Sequence, residues 1–148
     1  MVPVRSWDPA AAGVFRLPSG RLVRGRGLRT PVPAGQTPSL GVYLQGTAPT
    51  AFEWETRWIR WPDFWLPSDR TAFTHVVHEV LRRCANERVE IACGSGYGRT
   101  GTALACLVVA DGLQNEDAVG YVRRNYSRRA VETLWQKRFV TRFDAVQS

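Results

Sequence analysis

The chain has 148 residues, 44% of them apolar, and a formal charge of +7, which is enough material for one domain with a real core. No run reaches the roughly 18 consecutive apolar residues of a membrane-spanning helix, and residues 1–13 lack the basic-then-apolar pattern of a secretory signal. The three cysteines, Cys84, Cys93 and Cys106, have no metal-ligand spacing and an odd count unsuited to a disulfide framework. Composition therefore points away from membrane, secreted and metal-scaffold proteins and towards the reducing cytoplasm.

In chain order, residues 1–13 are expected to be a poorly ordered or extended N-terminus to a single domain over 1–148. Val14–Leu17 and Arg21–Arg24 flank Pro18-Ser19-Gly20 and predict a hairpin. Gly27–Pro38, rich in proline and glycine, predicts a loop. Gly41–Gln45 and Thr56–Arg60 read as strands. In Asp69–Ala85 the apolar positions Phe73, Val76, Val77, Val80, Leu81 and Cys84 recur at helical spacing, with Ser68 as the expected N-cap. Val89–Ala92 is a central strand. Helices are predicted at Thr100–Ala110, Asn115–Asn125 and Val131–Ala145, with Asp111-Gly112 breaking the first from the second.

The most informative stretch is Cys93-Gly94-Ser95-Gly96-Tyr97-Gly98-Arg99-Thr100-Gly101. A cysteine ends a strand, and a glycine-rich loop then leads into a helix. Such a loop can turn successive N–H groups inward as an anion nest, and the helix adds unpaired N–H groups and the positive end of its dipole. Arg99 brings a planar fork that matches two phosphate oxygens. The same field favours a thiolate, to which Thr100 is placed to donate a hydrogen bond, and a thiolate can attack phosphorus. A glycine-rich turn beside a buried structural cysteine is the blander alternative. It leaves unexplained why cysteine, arginine and threonine all stand at useful positions.

Upstream, Trp61-Pro62-Asp63-Phe64 puts a carboxyl group on a loop stiffened by proline and flanked by aromatics. Breaking a phosphate ester needs an acid for the leaving oxygen, and apolar neighbours favour the protonated carboxyl by desolvation. A plain Pro-Asp turn explains this segment taken alone. Beside the cysteine loop, the acid role explains more.

Together these segments resemble the cysteine-based protein tyrosine and dual-specificity phosphatases. Cys93 to Arg99 with Thr100-Gly101 matches their signature and Trp61-Pro62-Asp63 their acid loop. The following Gly101–Cys106 resembles the helix of the small atypical dual-specificity members. Val131-Glu132-Thr133-Leu134-Trp135-Gln136 resembles that group's last helix, where a glutamine at the place of Gln136 helps position the second-step water. The resemblance runs from about Arg57 to Phe143. Low-molecular-weight phosphatases and arsenate reductases share Cys-x5-Arg but carry the acid downstream, opposite to the order here.

The resemblance implies an α/β fold. A central twisted, mostly parallel sheet of about four to five strands is flanked by helices, with the phosphate-binding loop between a central strand and a helix. Cys93, Arg99 and Asp63 would be catalytic, Gly94, Ser95, Gly96, Tyr97, Gly98 and Arg99 would bind phosphate, and Thr100 and Gln136 would support them. No metal or cofactor is implied. The substrate would be a phosphorylated protein or another phosphomonoester. The chain has no room for the segment that deepens the pocket of larger tyrosine-specific enzymes, so the pocket should be shallow. Two departures bear on activity. Ala92 stands where the family has histidine, which predicts weaker thiolate formation and reduced activity. Tyr126-Ser127-Arg128-Arg129-Ala130 replaces an Arg-Pro turn. A catalytically silent phosphate-binding module and an RNA 5′-phosphatase are the rival readings.

His75 and His78 are read as solvated residues on the polar side of their helix, with no third ligand for a metal. The densest arginine cluster, Arg123, Arg124, Arg128 and Arg129, has two equal readings: contact with a phosphorylated substrate near the site mouth, or a solvated helix end. Trp54, Trp58, Trp61 and Trp65 allow base stacking on nucleic acid, but core packing and anchoring of the acid loop account for them more simply. Cys84 and Cys106 are read as small buried thiols.

Overall fold

The computed structural model describes residues 6–146. Five strands form one sheet: β1 (Val14–Arg16), β2 (Leu22–Gly27), β3 (Leu40–Gln45), β4 (Glu55–Arg60) and β5 (Val89–Cys93), in the spatial order β1-β2-β5-β3-β4. Only β1, the hairpin partner of β2, is antiparallel. The expected mostly parallel sheet is thus present. The last of these strands lies at the centre, so the loop after β5 leaves the middle of the sheet.

Alternation along the strands sets the two faces apart. Val23, Val42, Leu44, Val89, Ile91 and Cys93 enter one core with the helices. These are α1 (Arg70–Arg83), α2 (Gly98–Ala110), α3 (Asn115–Asn125) and α4 (Leu134–Thr141). Helix α2 is buried along its length from Gly98 to Val108, as its near-continuous apolar sequence requires. The opposite face carries Arg24, Arg26, Glu90 and Tyr43, all buried. It is covered by Trp7 and by the stacked rings of Phe52 and Trp54.

Several boundaries differ from the sequence expectation. The cap of α1 is Asp69, whose carboxylate accepts from Ala72 N–H at 3.0 Å, while Ser68 N–H donates to Arg60 O. Asp69 is the cap because helical bonding starts at its carbonyl, which accepts from Phe73 N–H at 3.1 Å, while Ser68 is still held to β4. Helix α2 starts two residues earlier than expected, which brings Gly98 and Arg99 into its first turn. Helix α4 is shorter than Val131–Ala145. Val131 adopts φ 62° and Thr133 forms a capping box with Gln136, so the helix begins only at Leu134. The expectation for residues 1–13 falls partly outside the described residues. Within them Trp7 is buried, and its indole N–H donates to Val89 O at 3.0 Å. His78 is half-buried with Nε2 against Ala145 O, not solvated as expected, because the segment after α4 folds back onto α1.

Candidate active site

Cys93 ends β5, and its Sγ accepts from Gly96 N–H at 3.3 Å, so the loop already points an amide at the sulfur. Gly96 takes φ 88°, and a Cβ there would lie 2.7 Å from Gly27 N. Only glycine suits both the left-handed turn and that close approach. The loop is tied down on two sides. Leu28 N–H donates to Cys93 O at 2.7 Å, and the Tyr126 hydroxyl donates to Gly96 O at 2.7 Å. Burial, with Cys93 and Tyr97 nearby, pushes the Tyr126 hydroxyl well above its ordinary pKa, so it stays a donor.

Arg99 folds back over the loop. It donates through Nη1 to Trp61 O at 3.1 Å, places Nη2 3.3 Å from Asp63 Oδ1, and leaves its buried Nε without a partner. The Thr100 hydroxyl is likewise buried and unpartnered. Two donors of the loop–helix junction are thus held ready for an acceptor.

Asp63 sits across from the loop, its Oδ1 accepting from Phe64 N–H at 3.0 Å. The desolvated surroundings expected for it are not there. Its side chain is 43% exposed and faces Arg99 and, at 3.9 Å, Arg29. The aromatic neighbours point elsewhere: Trp61 into the core, Phe64 and Trp65 to solvent. Arg29 was not singled out by the sequence. Its backbone N–H donates to Gly94 O at 3.1 Å, and its guanidinium lies with that of Arg99 over Gly94. Nothing in the β2–β3 loop sequence marks it, because its place depends on β2 lying beside β5.

The acid loop is pinned by α4. Trp135 Nε1 donates to Phe64 O at 2.5 Å, and Gln136 Nε2 donates to Trp65 O at 3.1 Å. Gln136 Oε1 accepts from Glu132 N–H and Thr133 N–H. The buried amide of Gln136 therefore joins the acid loop to the start of α4. Phe64 is held at φ 60° between these ties, a strained value that neighbouring contacts must maintain. Gly98 leaves no room for a Cβ against Glu132, so the α4 cap also reaches the cysteine loop.

The other singled-out residues separate. Arg129 stacks over Tyr97 at 4.2 Å, and Arg123 donates to Ala130 O and Val131 O, whereas Arg124 and Arg128 are exposed. Trp61 and Trp54 are packing residues, Trp65 lies against Trp135, and Trp58 donates to Gln45 O. Ala92 is fully buried between its strand neighbours Arg26 and Tyr43. Burial pushes the Cys84 thiol up to about 11 and the Cys106 thiol well above its ordinary value, so neither is a ready nucleophile. Among the described residues no cluster suits a metal ion, and no helix is long and apolar enough to cross a membrane.

Known proteins share this fold. The crystal structure of Tk-PTP in its active form superposes with a TM-score of 0.60 at 26% identity, over 70% of this chain and 75% of that one. Kinase associated phosphatase, with serine in place of its catalytic-site cysteine, gives 0.57 at 18% identity, over 69% and 66%. The core catalytic domain of the PP-IP phosphatase SIW14 from S. cerevisiae gives 0.56 at 17% identity, over 72% and 68%. In sequence, 57 residues are 40% identical to MJ0215, an uncharacterized protein of Methanocaldococcus jannaschii, covering 38% of this chain and 35% of that one. The chain spans about a third of the length of the curated relatives it matches. Residues 59–144, which hold the acid loop, the cysteine loop and α4, match the family model PTP-SAK, the DSP-PTPase phosphatase domain of Swiss Army Knife proteins, and the chain belongs to that family.

Proposed function

We propose that this phosphatase domain hydrolyses phosphate monoesters through a cysteinyl-phosphate intermediate, with phosphorylated protein side chains as substrates. The observation that carries the reading is Arg99. One guanidinium joins the loop of Cys93 to the carboxylate of Asp63 and keeps a buried N–H unpaired. The Cys93 thiolate attacks phosphorus, and the P–O bond to the leaving group breaks. Asp63 gives that oxygen its proton. Arg99 and the amides of Gly94, Ser95, Gly96, Tyr97 and Gly98 hold the equatorial oxygens as charge redistributes. Water then attacks the cysteinyl phosphate, Asp63 takes its proton, and phosphate leaves with the thiolate restored. The Thr100 hydroxyl, buried and without a partner, would donate to that thiolate. Gln136 has one amide N–H beyond its bond to Trp65 with which to orient the water.

Phe64, Trp65, Leu134 and Trp135 are exposed where the loop of Asp63 meets the start of α4. An apolar rim of this kind suits an aryl ester such as phosphotyrosine, and its openness admits phosphoserine or phosphothreonine. The three free cysteines fit a reducing, cytoplasmic setting. Ala92 favours a second reading, a domain that binds phosphate with little turnover. The test is hydrolysis of an aryl phosphate with chelator present and with vanadate as inhibitor, then turnover across phosphotyrosine, phosphothreonine, inositol phosphate and 5′-triphosphate RNA. Cys93→Ser should abolish turnover; full activity in that variant rules out the covalent route. An alkylation midpoint for Cys93 above about 8 supports the binding-only reading.

A further inference from the structure

On the sheet face turned away from the helices, the buried carboxylate of Glu90 is shared by two arginines and a tyrosine. Oε1 accepts from Arg24 Nε at 3.0 Å, Arg24 Nη2 at 2.5 Å and Arg26 Nε at 2.8 Å, and Oε2 accepts from the Tyr43 hydroxyl at 2.8 Å. Burial, then the adjacent Glu90 charge, pushes the Tyr43 hydroxyl far above its ordinary pKa, so it remains a neutral donor. Two cations therefore face one anion. Arg24 has other partners: Nη1 donates to Gln36 O at 3.4 Å, and the guanidinium lies 4.2 Å from the Trp7 ring. Arg26 has none of this kind. Its side chain is 7% exposed, its Nη2 is buried and unpartnered, and its one hydrogen bond among the described residues is Nε to Glu90. Arginine does not escape burial by losing its proton, and an unmet donor on a buried cation is costly.

Arg26 borders a cleft of about 400 Å³ between the loops that follow β2 and β3. Thr30, Thr47 and Gln45 give it polar groups, Leu28 and Phe52 give it apolar walls, and no carboxylate lines it. Neither Asp63 nor any residue of the cysteine loop takes part. The Leu28–Thr30 segment divides the two places: Arg29 reaches Asp63, while Leu28 and Thr30 line the cleft.

We infer that this cleft is a second anion site, binding a small organic anion whose carboxylate or phosphate meets Arg26 and whose apolar body lies on Leu28 and Phe52. The volume suits a single-ring ligand, and the surplus positive charge of the Glu90 cluster selects for an anion. The inference does not depend on the reaction at Cys93.

The test is an NMR titration of ¹⁵N-labelled protein with vanadate on the cysteine loop, following Arg26 Nε–H and the amides of Thr30, Thr47 and Thr50. Benzoate, phenylphosphonate and neutral benzamide are added separately. At least one anion should give saturable shifts at these groups, and benzamide should bind about tenfold more weakly or not at all. The tighter anion tells carboxylate from phosphate. Arg26→Met should weaken anion binding about tenfold. If that variant does not fold, Thr47→Trp at the exposed rim should block the cleft with the Glu90 cluster intact. Absence of saturable shifts, shifts confined to Gly94–Gly98, or equal binding of benzamide and benzoate would overturn the inference.

Discussion

Asp63→Asn separates proton transfer from every other property of the site. Asparagine keeps the size of the side chain, and its oxygen can still accept from Phe64 N–H, now at 3.0 Å. The acid loop is held from the other side by Trp135 and Gln136, through Phe64 O and Trp65 O, and those ties do not involve position 63. The lost ion pairs, at 3.3 Å to Arg99 and 3.9 Å to Arg29, belong to a carboxylate 43% exposed. Pairs of that kind contribute at most about 1 kcal/mol. Stability should therefore stay within about 1 kcal/mol of wild type in urea unfolding. Turnover should not. Phenyl phosphate releases a phenol with a pKa of about 10 and needs the proton, so kcat should fall about 10²- to 10³-fold. With 2,4-dinitrophenyl phosphate, whose leaving group departs unprotonated, the first step should hardly change. The assay is kcat and kcat/KM for both esters on both proteins. Equal losses in kcat/KM, which covers only the steps through the first chemical one, would remove Asp63 from the acid role. A large loss of stability would refute the claim that the loop is held from α4.

Gln136→Ala removes an acceptor for two amides and a donor to Trp65 O. It should cost about 2–4 kcal/mol in urea unfolding and lower kcat on phenyl phosphate more than on the activated ester; a change under about 1 kcal/mol would contradict the buried bridge. Gly96→Ala puts a Cβ 2.7 Å from Gly27 N at φ 88°, so stability should drop by more than about 1 kcal/mol and vanadate affinity should fall. Unchanged vanadate binding would show that the loop does not need this turn. Glu55 is held down to about 2 by hydrogen bonds from Arg83 and then Arg57. A depressed carboxyl stabilises the fold above its unfolded pKa and loses that contribution as pH falls through the folded value. Glu55→Gln should thus flatten the acid limb of stability between about 4.5 and about 2, and an unaltered limb would remove Glu55 from it.

Much of the site is a local property of the chain. The run from Cys93 to Thr100 carries its own turn chemistry: glycines where φ is positive or backbones touch, then a helix whose first turn supplies unpaired amides. That is why its turn could be read without neighbours. The apolar spacing of α1 and the unbroken apolar run of α2 likewise placed those helices to within two residues at each end. Asp63 was legible as a carboxyl group on a stiff loop, but its surroundings were not, since sequence neighbours say little about which way side chains turn on a loop.

Only the tertiary structure decided what lies across from what. Placing β5 between β2 and β3 brings Arg29 over Gly94 and sets Glu90 against Arg24 and Arg26, contacts between residues more than sixty positions apart. The capping box at Thr133 begins α4 late enough for Gln136 and Trp135 to clasp the acid loop. A sequence carries the propensities of each segment, whereas such pairings arise from the burial of whole faces. For this protein the turn of the cysteine loop was written locally. The charge around Asp63 and the unmet guanidinium of Arg26 come from strand order.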